Sequence, residues 1–167
     1  MTIEVRQSNA SDTFAIDTLL RRSYPRLLEP YYSPSVLVTA IPLIARANLK
    51  LVTSGTYFVA LDTQAENALI ACGGWTAQSP FGELEPGCAH IRHFGTDFQS
   101  LRKGAGSTII RRCVAEARQA GFARLSCLST TMAVAFYKKA GFQVIDETEI
   151  ALRPGIVLPC VAMECDL

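Results

Sequence analysis

Leu101-Arg102-Lys103-Gly104-Ala105-Gly106-Ser107 is the stretch on which the fold turns. After it, Ile109, Ile110, Cys113, Val114 and Ala117 fall on one side of a helix. Arg111, Arg112, Glu116 and Arg118 fall mostly outside that stripe, and Gly121 stands where a helix ends. Before it, Cys88 to Thr96 reads as a strand. The stretch is thus a strand-to-helix junction. The first N–H groups of a helix lack intrahelical acceptors and favour an anion such as phosphate. Gly104 and Gly106 let the backbone close on a bulky group, and Arg102 and Lys103 add positive charge. Two common phosphate loops are excluded. There is no G-x-x-x-x-G-K-[ST], and Ile109 stands where a dinucleotide fingerprint needs its third glycine.

Upstream of the junction, Ile3 to Arg6 alternates like a strand. Ser11 or Asp12 is placed to cap a helix burying Ile16, Leu19, Leu20 and Tyr24, with Pro25 as its stop. Ser33-Pro34 opens a second helix that Pro42 divides. Thr56–Leu61 and Ala68–Thr76 form a hairpin, and Gly73-Gly74 marks a bulge or a close backbone approach. Downstream come a strand at Arg124–Leu128, a helix from Thr130 to Ala140, and strands at Phe142–Ala151 and Val157–Cys165 around Arg153-Pro154-Gly155. No repeat or linker interrupts the chain, so residues 1–167 read as one domain. The fold class is α+β: about seven strands, mostly antiparallel, about four helices and one β-α-β crossover.

Composition narrows the function. Hydrophobic residues are 49% and charged residues 19%, enough apolar surface for a real core. Sixteen basic against fifteen acidic residues leave a net charge of +1, without the field that wrapping nucleic acid requires. No apolar run nears the ~20 residues of a membrane helix, and the N-terminus lacks a secretion signal; a cytoplasmic protein is expected. Cys72, Cys88, Cys113, Cys127, Cys160 and Cys165 form no CxxC pair and no zinc spacing, so they read as buried thiols and no metal is expected. A thiol hydrolase would need one of them within hydrogen-bond reach of His90.

The junction and one later motif together resemble the GNAT superfamily of N-acetyltransferases. Gly104 and Gly106 match the family's [QR]-x-x-G-x-[GA], with Leu101 at the usual Gln/Arg position. Ala133-x-x-Phe136-Tyr137-x-x-x-Gly141-Phe142 matches its second signature, with Thr130 in place of the usual upstream Asn. The resemblance spans about residues 3–166. It implies a central pair of strands, ending at Thr96 and at 128, that splay apart. It also implies a cofactor-binding set: pyrophosphate of acetyl-CoA on Arg102, Lys103, Gly104, Ala105, Gly106 and Ser107, pantetheine along Phe94 and Thr96, and the second arm at Thr130 and Ala133.

Attack of an amine on a thioester requires a base or water path, an oxyanion donor and an acid for the departing thiolate. Tyr137 holds the position of the family's acid. His90, fourteen residues before Gly104, is the preferred base, ahead of Glu29 and Glu85. His93 has the opposite strand parity, so only one of the two histidines is expected to face substrate. Tyr24, Tyr31, Tyr32 and Trp75 are candidates to line the acceptor pocket. The expected partner is a small-molecule or peptide amine, with a homodimer left open. The alternative is a sensor module that holds acyl-CoA without turnover.

Overall fold

The computed structural model describes residues 1–167 throughout. Its strands are β1 (Ile3–Gln7), β2 (Tyr57–Asp62), β3 (Ala68–Thr76), β4 (Cys88–Thr96), β5 (Arg124–Ser129), β6 (Gln143–Arg153) and β7 (Ile156–Asp166). They form one sheet in the order β1-β2-β3-β4-β5-β7-β6, antiparallel except for β4 and β5. Two long helices, α1 (Thr13–Leu28) and α5 (Ala105–Gln119), lie on opposite faces. Four short ones are α2 (Pro34–Thr39), α3 (Ile41–Ile44), α4 (Leu49–Val52) and α6 (Val134–Lys139). The α+β class, the seven strands and the four helical regions stand as expected. No helix is long and apolar enough to cross a membrane.

The alternation of each strand sorts its residues between the two faces. Phe58, Ala60, Ala71, Ala89, Ile91 and Leu125 pack with Ile109, Ile110 and Cys113 of α5. Tyr57, Val59 and Cys72 pack with Ile16, Leu19 and Leu20 of α1. All six cysteines are free thiols, five of them buried.

The first helix departs from the sequence reading at both ends. Its opening turn, Ala10–Asp12, is capped by Asn9, which accepts from the Ser11 amide at 2.9 Å, while Asp12 answers the Asn9 amide and binds Arg6. Ser11 and Asp12 therefore lie inside the cap they were expected to form. Pro25 does not stop α1, which runs on to Leu28. Proline costs the helix one hydrogen bond, the one its missing N–H would donate to the carbonyl four residues back. Both Pro25 and Arg21 are exposed, so water reaches that carbonyl, while burial of Ser23 and Leu28 holds the helix on course. Pro42 does divide the second region, giving α2 and α3; α4, capped by Asn48, has no counterpart in the sequence reading.

Gly73-Gly74 does mark a bulge. Cys72 pairs with Gly95 but Gly74 pairs with Arg92, so β4 spends two residues, His93 and Phe94, against the single Gly73. His93 takes a left-handed φ of 52°. The bulge is braced from below: the Tyr57 hydroxyl donates to the His93 carbonyl at 2.7 Å and the Tyr24 hydroxyl to the Phe94 carbonyl. A Cβ on Gly73 would lie 2.5 Å from the Phe94 ring, and one on Gly74 would overlap the Thr56 carbonyl oxygen and come 2.7 Å from Tyr57 Cα. Because the atoms facing Gly74 are backbone, Gly74→Ala is expected to cost about 1–3 kcal/mol of overpacking. Urea unfolding monitored by circular dichroism checks this.

Candidate active site

The junction between β4 and α5 is held rigidly. Asp97 is buried and accepts from Arg22 at 2.7 Å; the Phe98 amide donates to Ser23 at 3.1 Å; the Arg26 guanidinium lies 4.3 Å above the Phe98 ring. The chain then turns through Arg102 (φ 59°) and Gly104 (φ 88°) into α5. The first helical hydrogen bond runs from the Thr108 amide to the Gly104 carbonyl at 2.9 Å. The amides of Gly104, Ala105, Gly106 and Ser107 are therefore donors without acceptors in the chain, with Arg102 and Lys103 exposed beside them. Nothing lies within 4 Å of a Cβ placed on Gly104, so that glycine serves φ rather than space. Gly106 is different: its Cβ would meet the Phe136 ring at 3.3 Å and the Thr96 hydroxyl at 3.5 Å. The arrangement suits a di-anion.

The central strands do splay. β4 and β5 pair only at Cys88–Arg124, Ala89–Leu125 and His90–Ser126, after which β5 stays with β7. Phe94 and Thr96 lie on the free stretch of β4, although the Phe94 carbonyl already accepts Tyr24. On the other arm, Thr130 caps a short turn, its carbonyl accepting from the Ala133 amide at 3.1 Å, and Ala133 packs on the α5-side core. Phe136 of α6 closes the distance between the arms by facing Gly106.

Tyr137 follows it. Its ring meets Phe136, Phe142 and Phe94 edge-on at 5.0, 5.5 and 6.1 Å. Tyr24, Tyr57 and Tyr32 all tie their hydroxyls to backbone carbonyls; Tyr137 has no such tie. Burial pushes its pKa well above the ordinary phenol value, with Cys127 adding to the effect, so the proton stays on the oxygen.

His90 lies on the α1 side of β4, opposite Thr76, and is 7% exposed. Its Nε2 is buried without a hydrogen-bond partner. Burial lowers its pKa; Glu85 opposes this, and Arg92 and Arg124 reinforce it. Beside it is a cavity of about 170 Å³ reached by Phe81, Glu83, Glu85, Ser126 and Leu128. A larger cleft of about 440 Å³ at Glu4, Arg6 and Asp12 lies on β1 and α1, away from the junction.

The parity argument for the histidines fails. The extra residue at the bulge turns His93 onto the α1 side as well, where its Nε2 sits 2.7 Å from the Ile44 carbonyl and its ring meets Tyr24 edge-on. What separates the two is occupancy: His93 is tied and His90 is free. Trp75 lies on the other side from His90. It packs against Phe122 on the α5 side. Tyr24 and Tyr32 stay on the α1 side and Tyr31 is exposed.

One grouping escaped the sequence reading. Glu85, Cys88 and His90 bring their ligand-type atoms within 4.8 Å of one another. The Arg124 guanidinium already pairs with Glu85, so the positive charge there is supplied by the chain. The Cys88 thiol points to the Ala89 carbonyl at 3.4 Å, and burial raises its pKa, which does not make a nucleophile.

Comparison with known proteins supplies the frame. The chain has the fold of a PaiA N-acetyltransferase from Thermoplasma acidophilum, solved with coenzyme A (16% identity, all of both chains covered, TM-score 0.74). It also matches the ribosomal-protein-S18-alanine N-acetyltransferase of Escherichia coli (12%, 99% and 94% covered, TM-score 0.64). The N-acetylglutamate synthase of Neisseria gonorrhoeae, solved with coenzyme A and N-acetyl-glutamate, is similar as well (19%, TM-score 0.65), and there the whole chain covers only 35% of the larger protein. No curated protein sequence matches. The model of the acetyltransferase (GNAT) family matches residues 15–142, which include both glycines of the junction, the bulge of β4 and the aromatic turn at Phe136-Tyr137. The chain belongs to the GNAT acetyltransferase family.

Proposed function

We propose that the protein transfers the acetyl group of acetyl-CoA to a primary amine on a small molecule or a peptide, by direct attack on the thioester. One observation carries the reading: four unpaired amides, Gly104 to Ser107, open onto the gap between β4 and β5, with Tyr137 on one side of the sheet and His90 on the other. The amides and the Arg102 and Lys103 charges fit a pyrophosphate. Coenzyme A in family-fold structures such as the PaiA enzyme and N-acetylglutamate synthase is consistent with this donor. N-acetyl-glutamate in one similar structure and the ribosomal-protein-S18 alanine named for another differ in kind, so the fold leaves the acceptor open.

The steps follow from the side chains. The amine must lose a proton to attack, and neutral His90, with a free Nε2, takes it directly or through water. The free edge of β4 offers N–H groups to the oxyanion, and the bulge fixes where they point. Tyr137 returns a proton to the departing sulfur. A phenol raised by burial is a weak acid, but a thiolate emerging in the same apolar surroundings is raised by the same cause, so the two stay matched.

Gly104→Glu puts a like charge where the pyrophosphate binds and is expected to abolish acetyl-CoA binding in calorimetry. Gly104→Ala suffers the same left-handed strain and lacks the charge, so it separates strain from repulsion. Unchanged affinity in folded Gly104→Glu overturns the donor site. A screen of acetyl-CoA consumption across amines separates the enzyme from the sensor: a sensor binds and never turns over.

A further inference from the structure

The face of β4 that carries His90 also carries a cation without a counter-ion. Arg92 is two residues on, so the pleat returns it to the same side. The register agrees: Thr76 lies opposite His90 and Gly74 opposite Arg92. The guanidinium is half-buried, and its side-chain partner is the Thr76 hydroxyl, 3.1 Å from Nη1. Arg6, Arg21, Arg22, Arg112 and Arg124 each pair with a carboxylate; Arg92 pairs with none. No carboxylate acts on its charge: burial is the one influence on it, while Glu85, the acid beside His90, is paired with Arg124.

A half-buried guanidinium loses hydration that one neutral hydroxyl does not restore. Burial accordingly lowers the Arg92 pKa. Its planar fork suits a carboxylate held by two parallel hydrogen bonds. The donor's phosphates are an unsuitable partner, because Arg92 lies on the α1 side whereas Thr96 and Gly106 meet on the α5 side. On the acetyl-transfer reading, the molecule beside His90 on this side is the acceptor.

We propose that Arg92 seats a carboxylate of the acceptor, and that the acceptor is an amine carrying that carboxylate a few bonds away, an α-amino acid or a close relative. This rests on the acetyl-transfer reading above. Residues two apart on a strand stand roughly 6.5–7 Å apart. That spacing lets His90 address the amine while Arg92 holds the acid of one small molecule. Phe81, which lines the cavity beside His90, is placed for its apolar part.

The test pairs amino acids with their decarboxylated counterparts: leucine with isopentylamine, phenylalanine with phenethylamine, lysine with cadaverine. The acid-bearing member is expected to win by roughly tenfold to a hundredfold in kcat/KM, as a charge-assisted contact implies. Arg92→Gln is expected to erase the preference through KM and leave acetyl-CoA affinity unchanged, with Arg92→Lys in between. A second readout needs no turnover: titration of N-acetylglycine into the coenzyme A complex, followed on the Arg92 Nε–H resonance, is expected to saturate in the millimolar range. Equal use of both members, a preference that survives Arg92→Gln, or no saturation overturns the inference. Saturation at Arg92 without acetylation of any amine overturns the acetyl-transfer reading instead and keeps the carboxylate site.

Discussion

Tyr137→Phe is expected to lower kcat by about 10²–10⁴, the usual contribution of a positioned acid, with little change in acetyl-CoA affinity. The substitution removes only the hydroxyl. The edge-on contacts to Phe94, Phe136 and Phe142 remain, so the ring stays where it is and the melting temperature holds. The hydroxyl has no backbone carbonyl to lose, unlike those of Tyr24 and Tyr57. Steady-state kinetics with single-turnover measurement checks the result. A kcat within about twofold of wild type, with chemistry rate-limiting, makes Tyr137 a packing residue.

His90→Ala is expected to cost a comparable factor and to change the shape of the pH profile. The His90 pKa lies below the ordinary 6.5 because burial disfavours the charged ring. A base works in its deprotonated form, so kcat/KM rises with pH through a midpoint below 6.5 and is level for this group at neutrality. The mutant loses that limb and keeps whatever limb the acceptor amine supplies. The difference between the two profiles carries the assignment; a mutant with the full wild-type profile moves the role to ordered water or Glu29. His93→Ala instead removes the bond to the Ile44 carbonyl and loosens the bulge. The His93 pKa is also lowered in the fold, so the unfolded chain binds more protons below about pH 6.5 and stability falls on acidification.

Local signals were legible where the chain decides alone. The reading placed β3 and β4 at their observed bounds and put Gly104 at the mouth of α5, because a glycine-opened helix after an alternating run has few other interpretations. Pro25 misled because a proline's cost depends on which side of the helix it faces, and that is a tertiary fact. The two histidines misled because counting by twos assumes an unbroken pleat. The glycine pair that announced the bulge sits on β3, while the extra residue sits on β4, a strand away in sequence. Arg92 gave no signal at all. A sequence shows a cation among sixteen; only the fold shows that this one is half-buried with no carboxylate to pair with.

The short parallel junction of β4 and β5 has a mechanical meaning. Three residue pairs join β1-β2-β3-β4 to β5-β7-β6, whereas β5 and β7 alone share six. The sheet is two leaves on a narrow hinge, each able to open with its own free energy. A ligand whose phosphates rest on α5 and whose tail lies against β4 and β5 becomes the rung that the ladder omits. Its binding energy then appears as resistance to the parting of the leaves, and heat tolerance rises with its concentration. The gap proposed for the donor is thus also the narrowest join in the sheet.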